Sequence, residues 1–275
     1  MVQPSDITAR RRHFHQLHQA GCFVIPNPWD RGSAVLLTQL GFRALATTSS
    51  GFAWTTGRCD RHVPLAEALA YMAAIASAVD VPVSADFEGG FAVDPSAVAV
   101  NVQVATQTAI AGLSIEDSTG SEDNPLFEFA LAVDRIRAAR AALDAEASAV
   151  LLTARSEGFI AGRPDLRETI RRLTAYADAG ADCVYAPGIR SLDDIGTVVR
   201  AVAPTPVNVL VASDFATVAQ LEDLGVRRIS VGGALARAAW TGAIQAATEI
   251  AERGTFTGLA KAISGVEINN RFAGR

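Results

Sequence analysis

The sequence predicts a single (β/α)8 barrel, and three observations carry that expectation. Short apolar, β-branched runs alternate with longer helical ones along the chain, eight of each. Several helical stretches meet a glycine just before the next apolar run, at Gly41, Gly112, Gly180 and Gly225, as helix C-termini do. The 275 residues, 49% hydrophobic and 19% charged, suit one large core, and no low-complexity linker divides them. A doubly wound open sheet is the alternative. The dinucleotide glycine fingerprint is missing after the first strand, where Asn27-Pro-Trp-Asp30 stands instead.

The elements follow in order. A helix over Ser5–Ala20 precedes the first strand and is expected to cover the bottom of the barrel. Residues 1–21 are expected to carry this extra helix, 22–253 the barrel and 254–275 a C-terminal extension, all in one domain. The expected strands are Cys22–Pro26, Ala44–Thr48, Val81–Asp86, Gly112–Glu116, Val150–Arg155, Cys183–Pro187, Val207–Val211 and Arg228–Val231. Each is too short for a helix and reads as a buried strand. The expected helices are Ser33–Gln39, Leu65–Ala78, Pro95–Ala111, Glu128–Asp144, Leu166–Ala179, Ser191–Ala203, Thr217–Leu224 and Leu235–Arg253. Alanine-rich stretches such as Ala66–Ala78 carry polar breaks and read as helices packed closely on a sheet. No apolar run approaches the length of a bilayer span.

Composition narrows the function. Net charge is −5, and no basic cluster exceeds Arg10-Arg11-Arg12, which argues against a nucleic-acid partner. The three cysteines, Cys22, Cys59 and Cys183, lack paired metal spacing and suit a reducing compartment. The N-terminus is polar and has no apolar signal core, so a cytoplasmic location is expected.

In such a barrel the C-terminal ends of the strands carry the active site. The first strand ends in Asn27, the second in Thr48-Ser-Ser-Gly51, the third in Asp86 and Glu88, the fourth in Glu116-Asp117, and the fifth in Arg155-Ser-Glu157. Tyr185 ends the sixth, Asn208 lies in the seventh and Gly232-Gly233 follow the eighth. Three consecutive strands thus bring acid, acid and cation to one rim. Residues 86 and 88 share parity, so a persisting strand would send both carboxylates to one side. Gly89 and Gly90 allow a sharp turn or a close backbone approach to a ligand. Oxygen donors of this kind suit Mg2+, with Mn2+ as a substitute, held by one or two carboxylates while others hold its waters. Arg155 offers a planar fork for a carboxylate or phosphoryl oxygen. Ser50-Gly51 offers backbone N–H groups for an anion. His13, His15 and His18 fall on the leading helix and are read as packing residues, and neither they nor His62 are expected to bind metal. Cys59 reads as an incidental loop thiol, and Trp29 and Trp54 as pocket-wall or packing residues.

These residues resemble a family. Asn27-Pro-Trp-Asp30, Thr48-Ser-Ser-Gly51, Gly57-Arg-Cys-Asp60, Ala85-Asp-Phe-Glu-Gly-Gly90, Ser114-Ile-Glu-Asp117, Ala154-Arg-Ser-Glu-Gly-Phe-Ile-Ala-Gly162, Pro206-Val-Asn208 and Val231-Gly-Gly-Ala-Leu-Ala-Arg-Ala-Ala239 are similar to segments of the isocitrate lyase/phosphoenolpyruvate mutase superfamily, in its order. The resemblance implies a (β/α)8 barrel whose last helix is swapped between subunits of a homodimer or homotetramer. It implies Mg2+ and a small 2-oxo or 2-hydroxy carboxylate that passes through an enolate. By position, Asp86 looks like the direct metal ligand, with Asp60, Glu88 and Glu116 orienting its waters. Ser50 and Gly51 look like the substrate-carboxylate cradle and Asn208 like a further pocket residue, and Asp86, Arg155, Gly89 and Gly90 are expected to touch the substrate with them. Arg155, Glu116 and Asp60 look like the residues that carry the chemistry. Where the isocitrate and methylisocitrate lyases have a Lys-Lys/Arg-Cys-Gly-His loop, this chain reads Ser118-Thr-Gly-Ser-Glu-Asp-Asn-Pro125, without Cys, His or Lys. The expected activity is therefore a Mg2+-dependent carbon–carbon lyase or decarboxylase. Phosphorus–carbon chemistry on phosphonopyruvate, or 2-oxo acid binding without turnover, are the alternatives. The proton donor stays open between Glu157, Tyr185 and a metal-bound water.

Overall fold

A computed structural model describes residues 4–273, with side chains from Asp6 onward. Eight short parallel strands form one sheet: β1 (Phe23–Ile25), β2 (Leu45–Ala46), β3 (Val83–Asp86), β4 (Gly112–Glu116), β5 (Leu151–Arg155), β6 (Cys183–Tyr185), β7 (Val207–Leu210) and β8 (Arg228–Ser230). They pair in the order β1-β8-β7-β6-β5-β4-β3-β2. Sequential pairing with β1 against β8 is a barrel and excludes the doubly wound sheet. Between β1 and β2 closure rests on Ala46 N–H donating to Pro26 C=O at 3.1 Å, with Asn27 Nδ2 donating to Thr47 C=O at 2.9 Å.

The helices are α1 (Pro4–Leu17), α2 (Arg31–Gln39), α3 (Ser49–Thr55), α4 (Leu65–Ala78), α5 (Pro95–Thr106), α6 (Phe129–Ala145), α7 (Leu166–Asp178), α8 (Leu192–Val202), α9 (Val218–Asp223), α10 (Ala234–Arg253) and α11 (Gly265–Phe272). Most of the barrel elements lie within a few residues of their expected bounds. One expectation is corrected: Thr48-Ser-Ser-Gly51 does not prolong a strand. It opens α3, because Thr48 takes an extended backbone and its side chain accepts the Gly51 N–H, as an N-cap does. The short helix α11 in the C-terminal extension was not foreseen.

The helix α1 lies under the barrel. Phe14 is fully buried and packs edge-on with His18 and Phe23. Arg11 ties the helix down by donating to the carbonyls of Ile110, Ser148 and Thr106 at 2.7–3.0 Å. In contrast, of the 20 residues in α10 only Ala236 is buried. Among the described residues no helix is long and apolar enough to cross a membrane.

Strand register positions the site. Glu116 pairs with Arg155, Arg155 with Tyr185, Tyr185 with Asn208, and Asn208 with Arg228. Residues in register share a face, so these five side chains all turn into the barrel. Because strands tilt against the barrel axis, such a row descends as it goes round. It starts at the last residue of β4 and ends at the first residue of β8.

Candidate active site

Arg155, the last residue of β5, organises the mouth of the barrel. Nη1 donates to Asp86 Oδ1 at 2.8 Å. Nη2 lies 3.3 Å from Glu116 Oε2 and 2.9 Å from Glu157 Oε1, and Nε donates to the same Glu157 oxygen at 3.0 Å. The guanidinium stands over the Tyr185 ring, 5.1 Å from its centroid. Burial opposes its charge, but Glu157, Glu116 and Asp86 outweigh burial and hold its pKa well above the ordinary value.

Asp86 ends β3, beside the start of α3. Its backbone N–H donates to Thr47 Oγ1 at 2.8 Å, and its Oδ2 accepts the Ser49 N–H at 3.1 Å. Glu116 is nearly buried; Arg61 Nη2 reaches its other oxygen at 3.2 Å. Burial, then the neighbouring Glu157, raises the Glu116 pKa well above the carboxylate range, against the pull of Arg155. Glu157 is raised for the same first reason, and its Oε2 is buried without a protein partner. Asp117 faces outward from the site. It accepts from Tyr176 Oη at 2.7 Å, Arg172 Nη1 at 3.1 Å and the Glu157 N–H at 2.8 Å, which anchors the fifth-strand turn.

The parity expectation for Glu88 is corrected. The strand stops at Asp86, Phe87 is fully buried, and Glu88 adopts a left-handed φ of 47°. Its side chain nonetheless reaches the acid cluster by this turn. Burial, then Asp86 and Asp60, pushes its pKa up to about 7. Asp60 is exposed, and its Oδ1 accepts the Arg61 N–H at 3.0 Å. It lines both cavities of the mouth: one of about 180 Å3 with Ser50, Asp86, Arg155 and Asn208, and one of about 530 Å3 with Arg61, Glu88, Gly89 and Glu116.

The glycines act chiefly on the backbone. A Cβ on Gly51 would come within 2.6 Å of Thr48 Cγ2 and 3.0 Å of Trp29 Cβ, so this turn of α3 packs without a side chain. Gly90, at φ 71°, packs on Val98, and Gly89 C=O accepts from Arg135 Nη2. Asn208 sits deeper, 2% exposed, donating to Ser230 Oγ at 2.9 Å. Two site residues escaped sequence reading. Arg61 lies in a loop at φ 65°, and Thr47 acts through a hydroxyl one strand away. Only the neighbourhood of Arg61 to Asp60 hinted at the first, and nothing flagged the second.

The donor set suits a hard cation. Asp60, Asp86, Glu88, Glu116 and Glu157 face two cations, Arg61 and Arg155, and a dication would relieve both the burial and the like-charge crowding that raise Glu88 and Glu116. Among the described residues no three acids form a ready ligand set.

A family model, phosphoenolpyruvate phosphomutase, matches residues 14–251. An uncharacterised protein of Mycobacterium tuberculosis strain H37Rv is 36% identical over 221 residues, 80% of this chain and 81% of that protein. A Burkholderia cenocepacia J2315 structure described as a lyase/mutase is 45% identical, covers 98% of this chain and 97% of its own, and superposes with a TM-score of 0.94. A 2,3-dimethylmalate lyase is 26% identical over 99% of this chain and 95% of its own, with a TM-score of 0.82. A phosphonopyruvate hydrolase in complex with oxalate and Mg2+ shares the fold, at 24% identity, a TM-score of 0.84 and coverage of 96% and 95%.

Proposed function

Because the chain belongs to the phosphoenolpyruvate phosphomutase family, whose members act on small carboxylic acids, we propose that it is a Mg2+-dependent carbon–carbon lyase or decarboxylase of a 2-oxo or 2-hydroxy acid. The observation that carries this reading is the convergence of Asp86, Glu116 and Arg155, from three successive strands, in one ion-pair cluster with acids in excess. The Mg2+-oxalate complex of a protein with the same fold supports the choice of metal.

Asp86 would hold the ion directly, and Glu88, Glu116 and Asp60 would hold its waters. Bound there, the ion supplies electrophilic stabilisation of the negative charge that develops on the 2-oxo acid. Ser50, at the start of α3, would receive the substrate carboxylate on its hydroxyl and backbone N–H, since the N–H groups of Ser49 and Gly51 already go to Asp86 and Thr48. Arg155 reaches the substrate oxygens, with Tyr185 below it. Glu157 keeps the fork oriented through its contacts at both Nε and Nη2. Asn208 completes the wall. The loop 118–125 contains no Lys or Arg, which favours carbon–carbon over phosphoryl chemistry, since a transferred phosphoryl group wants cations close by. We also propose that a second copy of the chain covers the exposed α10 in a homodimer or homotetramer.

The test is incubation with Mg2+ and oxaloacetate, methylisocitrate, isocitrate or phosphonopyruvate, followed by NMR. Cleavage of a carbon–carbon bond in any of the first three is the expected result. Turnover of phosphonopyruvate alone would replace the reading with phosphorus–carbon chemistry. Tight 2-oxo acid binding with no product would make the protein a binder.

A further inference from the structure

Arg228, the first residue of β8, points into the barrel and is 5% exposed. A buried guanidinium costs several kcal/mol unless an anion or good acceptors compensate it. Its partners are all neutral. Nε donates to Asn208 Oδ1 at 2.9 Å, Nη2 to Thr153 Oγ1 at 3.0 Å and Nη1 to His18 Nε2 at 3.3 Å. The state of His18 follows from its other nitrogen. Nδ1 lies 2.8 Å from the Phe14 carbonyl, which only accepts, so Nδ1 carries the proton and Nε2 is left as an acceptor. Burial, then the charge of Arg228, drives the His18 pKa down to about 3, so the ring is neutral. Among the described residues no carboxylate pairs with Arg228, whereas Arg155 has three.

Both arginines line the same cavity of about 180 Å3. Its acids, Asp60 and Asp86, stand at the mouth. The rest of the lining sets the polar groups of Ser84, Ser114, Ser230, Asn208 and Arg228 among apolar side chains such as Ile25, Ala46 and Leu210, with no further acid. The cavity, mouth included, has room for several waters or a small acid. Below the mouth, therefore, lies a donor-rich floor with one positive charge left over.

We propose that this floor is a subsite for an anionic group, and that it takes the second carboxylate of a diacid substrate, pointing into the barrel and away from Asp86. The identity of the diacid rests on the function proposed above, while the anion subsite itself does not. In a low-dielectric pocket a charge-assisted bond to Arg228 is about twice as strong as a neutral one, so the second carboxylate adds affinity that an acid lacking it does not have.

Calorimetry with Mg2+ and two acids of the same hand, lactate and malate, tests this, since they differ by one carboxylate. The wild type is expected to bind malate at least tenfold more tightly. Arg228→Gln keeps a donor but loses the charge. It is expected to cost malate roughly tenfold and leave lactate within twofold, whereas Arg228→Lys retains most of the preference. The proposal is overturned if the wild type does not prefer malate, if Arg228→Gln weakens both acids alike or neither, or if Lys and Gln behave alike. Should neither acid bind the wild type, the reading of the mouth fails and sodium formate tests the floor alone. Greater thermal stabilisation of the wild type than of Arg228→Gln supports the subsite; equal stabilisation, or none, overturns it. Circular dichroism verifies that the variants fold.

Discussion

At the scale of residues, Asp86, Glu116 and Arg155 form one electrostatic unit, and each change to it has a predictable sign. Asp86→Ala is expected to abolish Mg2+ uptake and turnover while leaving the fold intact, because Arg155 keeps Glu116 and Glu157. Calorimetry and circular dichroism check this; unchanged uptake would remove the metal role from Asp86. Arg155→Lys is expected to lower kcat/KM by roughly 10- to 100-fold with little loss of stability, since a lysine cannot serve several oxygens from one rigid plane. Equal activity in that variant would make the arginine structural. Glu88 sets a pH dependence. Its pKa rises from the ordinary carboxylate value to about 7 on folding, so the folded chain holds that proton more tightly than the unfolded one. Its contribution to stability is present below about pH 4.5 and is lost as pH climbs through 7. Metal binding takes up the deprotonated form, so Mg2+ affinity is expected to rise with pH through about 7 and proton release to accompany it. Titration in buffers of different ionisation enthalpy measures that release, and Glu88→Gln should flatten the profile.

At the scale of elements, the short helix α3 decides the shape of the mouth. Its N-cap residue, Thr48, lies in the segment that reads from sequence as the end of the second strand. The strand yields early because Thr48 caps the helix and Ser49 N–H turns to Asp86. Gly51 shows how packing reverses a local preference. Alanine is favoured over glycine in a helix interior by about 1 kcal/mol, but here its Cβ would press on Thr48 and Trp29. Gly51→Ala is therefore expected to destabilise the protein by about 1–2 kcal/mol, since overpacking outweighs propensity. A chemical melt reads the difference, and a gain in stability would show that α3 can shift. The loop that carries Asp60 and Arg61 was placed near the site only by family resemblance. Its geometry depends on a left-handed Arg61, which no local pattern announces.

At the scale of the whole molecule, α10 and the residues after it are the unbalanced part. Trp240, Ile244, Ile250, Phe256, Leu259 and Val266 are exposed, an apolar surface that a monomer of this size seldom keeps uncovered. Light scattering is expected to find a dimer or larger species. Paired substitution of Ile244 and Ile250 by aspartate is expected to shift it to monomer, and a wild-type monomer would refute the covering copy. The period of the apolar runs and the glycines that close the helices were enough to specify a barrel, because alternating strands and helices with short loops bury their apolar faces in few other ways. Chain order likewise marked Asp86, Glu116 and Arg155 as rim residues, since the end of a strand is visible in one dimension. What the tertiary structure alone decided is which groups meet. Glu88 arrives by a left-handed turn rather than by strand parity, Arg61 closes on Glu116 from a loop, and Arg228 meets His18 across 210 positions of chain. Such encounters depend on barrel closure and strand tilt, and those are properties of eight strands together that no local stretch of sequence encodes.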